Sequence, residues 1–215
     1  MPELYGLRIA TDKNVYEPSD DSFMAIEALE KFLGSFSGSE LEVLDMGTGT
    51  GVIGLYAAKD AKVAGVVLAD INPTAVSLAS ANAKENAALL HAKVKAVRSD
   101  LFGGISGKFD IITFNAPYLR RSPFDHGALS KAWNGGREGI EVSLRFLDQA
   151  RGHMKGNAAV ILLASSLGNV PKLASAIEER GGTITDTIKR HFFFEDLYAF
   201  TIIFRESKIE HRKVV

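Results

Sequence analysis

The stretch Val43-Leu44-Asp45-Met46-Gly47-Thr48-Gly49-Thr50-Gly51 constrains this chain more than any other. An apolar run closed by an acid reads as a short buried strand, expected over 41–45. Three glycines on alternate positions then make a turn, and an apolar segment, 52–59, opens as a helix. Residues without a Cβ let a ligand approach the main chain beneath a helix N-terminus. Asp45 falls at the carboxyl end of the strand, where ligands bind in open α/β sheets. The spacing Gly49-x-Gly51-x-x-Gly54 also matches the dinucleotide fingerprint. The turn alone therefore leaves NAD, other adenosine-bearing cofactors and a merely structural turn open.

The remainder alternates strand and helix. β-rich apolar runs occupy 63–68, 93–98, 109–114 and 158–164. Helical spacing links Phe23, Ile26, Leu29 and Leu33, then 73 to about 90, then Ile140, Leu144 and Leu147, then 170–180. Two last strands, 183–193 and 197–204, are split by Glu195-Asp196 and pair antiparallel. Phe192-Phe193-Phe194 reads as sheet core. Gly34 to Ser39 is a linker, and 119–135 is a long loop without period that holds Arg120, Arg121, His126 and Trp133. The expectation is one α/β domain over 1–215, with 1–14 as an N-terminal extension and 206–215 as a charged, frayed tail.

Bulk properties narrow the function classes. The 215 residues include no cysteine, which excludes disulfides and thiolate metal sites and fits a cytoplasmic location. No His or carboxylate cluster has metal-ligand spacing, so no metal is expected. No stretch approaches the roughly 20 apolar residues of a membrane span. A net charge of −1 lacks the basic footprint of a protein that grips nucleic acid by its phosphates.

Several residues address the turn. Val15-Tyr16-Glu17-Pro18-Ser19-Asp20-Asp21-Ser22 precedes the first helix. Ser19 can cap it and Asp20 and Asp21 suit its positive end, or the helix start closes over a cofactor with the Ser22 hydroxyl turned inward. Asp70 lies 21 positions past Gly49, at the tip of the second strand. A carboxylate there can accept from both ribose hydroxyls of an adenosine. Asn72-Pro73 supplies cap and first-turn proline for the next helix. Asp100-Leu101-Phe102 is either an ordinary turn or an adenine site, with an acid for the amino group and apolar side chains for the ring. His126 and His191 read as solvated.

The fourth strand ends in Asn115-Ala116-Pro117-Tyr118. An amide or amino nitrogen is a poor nucleophile because its lone pair is delocalised. An enzyme that methylates it must hold it in line with the methyl donor, roughly 3–3.5 Å away. The Asn115 side-chain oxygen and the Ala116 carbonyl can bind the two N–H groups. Pro117 fixes φ and brings no competing N–H, and Tyr118 offers a flat face for stacking. The bland alternative is a tight turn after a strand.

With these residues in view, the chain resembles the HemK-type glutamine N5-methyltransferases, and most closely the eukaryotic and archaeal branch that modifies the class I translation release factor. The resemblance rests on residues 15–23, 45–51, Asp70-Ile71-Asn72-Pro73, Asp100-Leu101, 115–118 and Ala132-Trp133-Asn134-Gly135-Gly136-Arg137-Glu138-Gly139. It implies a Rossmann-like class I methyltransferase domain: a seven-stranded, mostly parallel sheet with one antiparallel strand and helices on both faces. It also implies S-adenosylmethionine as the cofactor. Ser22, Asp45, Gly47 and Gly49 would lie along its methionine end, Asp70 at its ribose, and Asp100 and Leu101 at its adenine. Asn115 would border both cofactor and substrate, with Ala116, Pro117 and Tyr118 completing the catalytic loop. The family signature is Asn-Pro-Pro-Tyr, and Ala116 departs from it. The backbone acceptor survives that change, and Ala116 before a proline still prefers an extended conformation. Only 14 residues precede Val15, so the N-terminal substrate-gripping domain of the bacterial enzymes is not expected. The branch uses a small zinc-binding activator subunit instead, and an edge strand at Lys93–Arg98 would receive it. The runner-up is a nucleic-acid amino-methyltransferase acting on adenine N6 or guanine N2. A cofactor-binding scaffold and an NAD protein rank below it.

Overall fold

The computed structural model describes residues 1–120 and 132–204. Arg121, His126 and the 206–215 tail fall outside them. A short hairpin, β1 (Glu3–Leu4) and β2 (Leu7–Arg8), leads into α1 (Asp20–Ser35). Then come β3 (Leu41–Met46), α2 (Val52–Ala58), β4 (Val63–Asp70), α3 (Pro73–Glu85), β5 (Lys93–Arg98) and β6 (Phe109–Phe114). Two short strands, β7 (Leu119–Arg120) and β8 (Asn134–Gly136), pair in parallel. The rest is α4 (Glu141–Ala150), β9 (Met154–Ser165), α5 (Val170–Glu179), β10 (Gly182–Phe192) and β11 (Glu195–Phe204).

Seven strands form one sheet in the order β10-β11-β9-β6-β3-β4-β5. Only β11 runs against the others, pairing antiparallel with both β10 and β9. The order reverses between β3 and β6, which pair in parallel directly. That is the switch point at which open α/β sheets leave a crevice beyond their carboxyl ends.

The two faces can be read from strand alternation. Val43, Ile111, Ile161 and Leu163 join α1, α2 and Ala79 of α3 in one buried cluster. Leu44, Met46, Ile112, Phe114, Val160 and Leu162 join Phe146 and Leu147 of α4, and Leu173 and Ile177 of α5, in the other. Of the residues expected on the inner face of α1, Ile26, Leu29 and Leu33 are buried, and Phe23 is only half-buried.

Three expectations change. The helix predicted to reach about Leu90 ends at Glu85, because Asn86 takes the C-cap position and turns its side chain elsewhere. Asn82 and Asn86, one turn apart and buried, use their side-chain amides as a strand edge would. Asn86 Oδ1 accepts from Arg8 N at 2.9 Å and Asn82 Oδ1 from Ala10 N at 2.9 Å, while their Nδ2 groups donate to the Arg8 and Ala10 carbonyls. Residues 1–14 are thereby fixed to the domain. Second, Ser19 occupies the N-cap position of α1, but its hydroxyl caps nothing and donates to Asp21 Oδ1 at 3.0 Å. Third, of the three phenylalanines predicted in the sheet core, only Phe192 packs there. Phe193 and Phe194 form the turn between β10 and β11 and are 93% and 92% exposed.

Candidate active site

The glycine turn follows β3 as expected. Gly47, Gly49 and Gly51 have φ of 64°, 54° and 90°, a region where a side chain would be strained. Thr48 N–H donates to the Ala69 carbonyl at 2.9 Å, which ties the turn to the end of β4.

Asp45 is placed differently from the expectation that it lies along the cofactor. It is fully buried behind the turn, and both its oxygens are engaged inside the protein. Oδ1 accepts from the Thr113 hydroxyl at 2.7 Å, and Oδ2 accepts from the Thr48 hydroxyl and from Gly54 N–H at 3.0 Å. Burial pushes its carboxyl up to about 6, against the opposing pull of these three bonds. Asp45 is thus the anchor that staples β3, β6, the turn and α2 together.

In front of the turn lies a cavity of about 800 Å³. Ser22, Gly47, Gly49 and Asp70 line it, as do Asp100 and Leu101 and all four residues of the Asn115–Tyr118 loop. Ten of the eleven sequence-derived site residues therefore share one wall system, Asp45 being the exception. Asp70 Oδ2 accepts from Gly49 N–H at 2.9 Å and Oδ1 from Asn72 N–H at 2.8 Å. Burial raises its pKa and these two N–H groups oppose the rise. Asp100 is largely exposed and pairs with Arg145 at 3.3 Å, a solvated contact worth little.

The Asn115–Tyr118 loop leaves β6 at the carboxyl edge. Asn115 Oδ1 is the one buried side-chain oxygen or nitrogen among the described residues that has no hydrogen-bond partner. Such an acceptor is costly unless something donates to it. The loop is held from behind by the Gly-rich segment 135–139. A Cβ on Gly135 would stand 2.4 Å from the Pro117 carbonyl oxygen, and one on Gly139 would stand 2.5 Å from that of Tyr118. Leu119 N–H also donates to the Trp133 carbonyl at 2.8 Å. These glycines are there because backbone must touch backbone.

Sequence reasoning missed the hub at Asp21. It stands in the first turn of α1, as expected of an acid at a helix N-terminus, but it is also buried and accepts from Tyr118 Oη at 3.0 Å and Tyr16 Oη at 3.2 Å. Ser22 N–H donates to its Oδ1 at 2.6 Å. Burial, and then the Asp21 charge, raise both phenols, Tyr16 to about 12, so both stay protonated donors. The segment before α1 is thereby clamped to the catalytic loop. Ile71, on the cavity wall and half exposed, was missed too. An apolar side chain next to a strand-end acid was the available signal.

A cavity at the switch point, a glycine turn, an acid on the neighbouring strand tip and an unpartnered amide oxygen suit an adenosine-bearing donor and an N–H-bearing acceptor. Comparison with known proteins agrees. The model of the methyltransferase small domain matches residues 22–181. A chain of Methanocaldococcus jannaschii assigned as a protein N5-glutamine methyltransferase is 34% identical over 199 residues, which is 91% of this chain and 94% of that one. Methyltransferase HEMK2 of Mus musculus is 30% identical over 176 residues, 79% of this chain and 80% of its own length. Among solved structures, the E. cuniculi Mtq2-Trm112 complex, described as responsible for methylation of the eRF1 translation termination factor, is 26% identical with a TM-score of 0.64. The match covers 89% of this chain and 99% of that one. This chain belongs to the methyltransferase small domain family, and within it to the HemK-type protein-glutamine N5-methyltransferases of the eukaryotic and archaeal branch.

Proposed function

We propose that this enzyme methylates the side-chain amide nitrogen of the glutamine in the Gly-Gly-Gln motif of a class I translation release factor, with S-adenosylmethionine as donor. The observation that carries the reading is the buried, unpartnered Oδ1 of Asn115 at the cavity end of β6. A primary amide has two N–H groups to place. Oδ1 takes one and the Ala116 carbonyl takes the other, which aims the nitrogen across the cavity. Pro117 has no N–H to intrude. Tyr118, its hydroxyl tied to Asp21, presents its ring to the planar amide. No side-chain base removes an amide proton at neutral pH: the held nitrogen would take the methyl as the donor's carbon–sulfur bond breaks to leave a thioether, and the proton it then sheds would pass to solvent, so the work of this loop is positioning.

The donor supplies an electrophilic methyl group on a sulfonium. Asp70 would accept from its ribose hydroxyls, and Asp100 with Leu101 and Ile71 would hold its adenine. Ser22, Gly47 and Gly49 would face its methionine end. A cavity of about 800 Å³ has room for such a molecule and a glutamine side chain together. A translation factor as substrate assigns the work to the cytoplasm. Among the described residues no helix is long and apolar enough to cross a membrane.

The proposal includes a small zinc-binding activator subunit, docked by strand addition on β5. Two observations support it: β5 is the outer strand of the sheet, and the E. cuniculi relative is a two-protein complex. The deciding experiment is transfer of labelled methyl to the cognate release factor, compared with the same factor carrying asparagine for the motif glutamine. Label on the wild-type factor alone is expected. Label on both, on neither, or on added RNA would reject the reading.

A further inference from the structure

The turn between β10 and β11 breaks two local rules at once. It is a two-residue hairpin connection, since Phe192 pairs with Glu195. Such turns favour Asn-Gly or Gly-x, because their central residues need positive φ. Here both central residues are phenylalanine, and Phe193 has φ of 36°. Both rings stand almost wholly in water, with centroids 6.4 Å apart. Neither backbone preference nor burial explains them, and local rules broken without a folding gain mark functional sites.

Their position says what they meet. β10 runs parallel to β9, so its end lies at the same edge of the sheet as the carboxyl ends of the parallel strands. Glu195, the residue after the turn, lines the active-site cavity. The loop after β9 is bonded to the hairpin: Ser166 N–H donates to the Asp196 carbonyl at 2.9 Å, and Asp196 N–H to Ser166 Oγ at 2.8 Å. That loop carries Leu167, itself 42% exposed. Tyr16 and Ile71, on the cavity wall, are also exposed. Of the eight large exposed hydrophobics among the described residues, Phe193, Phe194 and Leu167 stand on this hairpin and the loop bonded to it, and Tyr16 and Ile71 stand on the cavity wall.

We propose that the Phe193-Phe194 turn, with Leu167 beside it, is the docking element for the folded protein that carries the reacting glutamine. The inference rests on the function proposed above. A side chain that reaches Asn115 brings its own protein body against this rim. An exposed aromatic pair beside the cavity is of the residue type enriched at protein–protein interfaces. A nucleic acid would instead need cations along the rim. The described cavity wall offers Arg98 and Arg145, Arg145 already faces Asp100, and on the hairpin Lys189 and His191 face Asp196 while Arg190 faces Glu27.

The test is the steady-state kinetics of the full chain on the intact release factor. Wild type is compared with a Phe193→Ser, Phe194→Ser double variant, with Leu89→Ser as an exposed control remote from the rim. The double variant should raise KM for the factor about 10- to 100-fold, as loss of two anchor residues does. It should keep kcat and the Kd for S-adenosylmethionine, and Leu89→Ser should behave as wild type. An unchanged KM, a fall in kcat instead, or an equal loss in Leu89→Ser would overturn the proposal. So would sedimentation showing that the double substitution converts a dimer to a monomer, since the occupant would then be a second copy. A wild type that methylates RNA and not the factor would sink the proposed function itself, and the wild-type arm alone reads that.

Discussion

Asn115→Ala separates a catalytic oxygen from a structural one, because the two roles predict opposite signs for stability. Oδ1 is buried and no protein group among the described residues donates to it. An oxygen so placed costs about 1–3 kcal/mol of desolvation wherever neither solvent nor ligand donates to it. Removing the side chain removes this cost and also some half-buried contact. The expected net effect is a gain of between about 0 and 2 kcal/mol in unfolding free energy. For a chain of this size that is a rise in Tm of up to about 8 °C. Catalysis should move the other way. An acceptor that aims the reacting nitrogen is worth about 3–4 kcal/mol in the transition state, so kcat should fall about 10²- to 10³-fold. The Kd for S-adenosylmethionine should stay near that of wild type, since Asp70 and the glycine turn are untouched. Differential scanning calorimetry, donor titration and methyl transfer to the release factor read the three quantities. Turnover that survives the substitution would remove Oδ1 from catalysis, and the assignment would fail.

Other outcomes follow from the same geometry. Asp45 has a folded-state pKa raised from 3.8 to about 6, so its neutral form favours folding below pH 4 and that contribution is lost as pH rises through 6. Relative to Asp45→Asn, which does not titrate, wild type should lose up to about 3 kcal/mol between pH 4 and 7 in denaturant unfolding. A pH-independent difference would contradict it. Gly135→Ala places a methyl 2.4 Å from the Pro117 carbonyl oxygen and must shift the catalytic loop. A fall in kcat of about 10²-fold is expected with donor binding retained; undiminished turnover would mean the loop does not depend on that contact. Val94→Pro removes a backbone N–H from the outer strand β5 and should abolish co-purification with the activator subunit, whereas an intact complex would place that partner elsewhere.

Local chemistry made much of the fold legible. β5 and β6 lie at the expected residues because each is a β-rich run closed by a turn signal. Asn72-Pro73 set the start of α3, and Asn72 Oδ1 does accept from Thr74 N–H. The end of α3 was not legible, because it depends on bonds between Asn86 and Arg8, 78 positions apart. The same holds at the site. The glycine turn, Asp70 and Asn115 announce themselves within a few residues. Asp21 does not, since its role is set by Tyr118, 97 positions away. At Asp45, a strand-end acid next to glycines reads as a ligand contact until Thr113 arrives on the neighbouring strand and completes its bonds.

This difference sorts the site into two layers with different tolerances. Groups that face the cavity, such as Asp70 and Asn115, act through atoms that reach a ligand, and the sequence shows them because ligand chemistry dictates the residue type. Groups behind them, Asp45 and Gly135, act by fixing where those atoms stand, as Asp21 does from the wall itself, and contacts distant in sequence dictate all three. The Ala116 departure falls between the layers. Ala116 is buried with its carbonyl intact as an acceptor, while the rigidity that a proline would supply comes from behind, through Gly135, Gly139 and the Tyr118–Asp21 bond. The loop therefore holds its shape by packing where the family signature holds it by covalent constraint. Substitutions behind the loop should accordingly damage turnover here as severely as substitutions on the cavity wall.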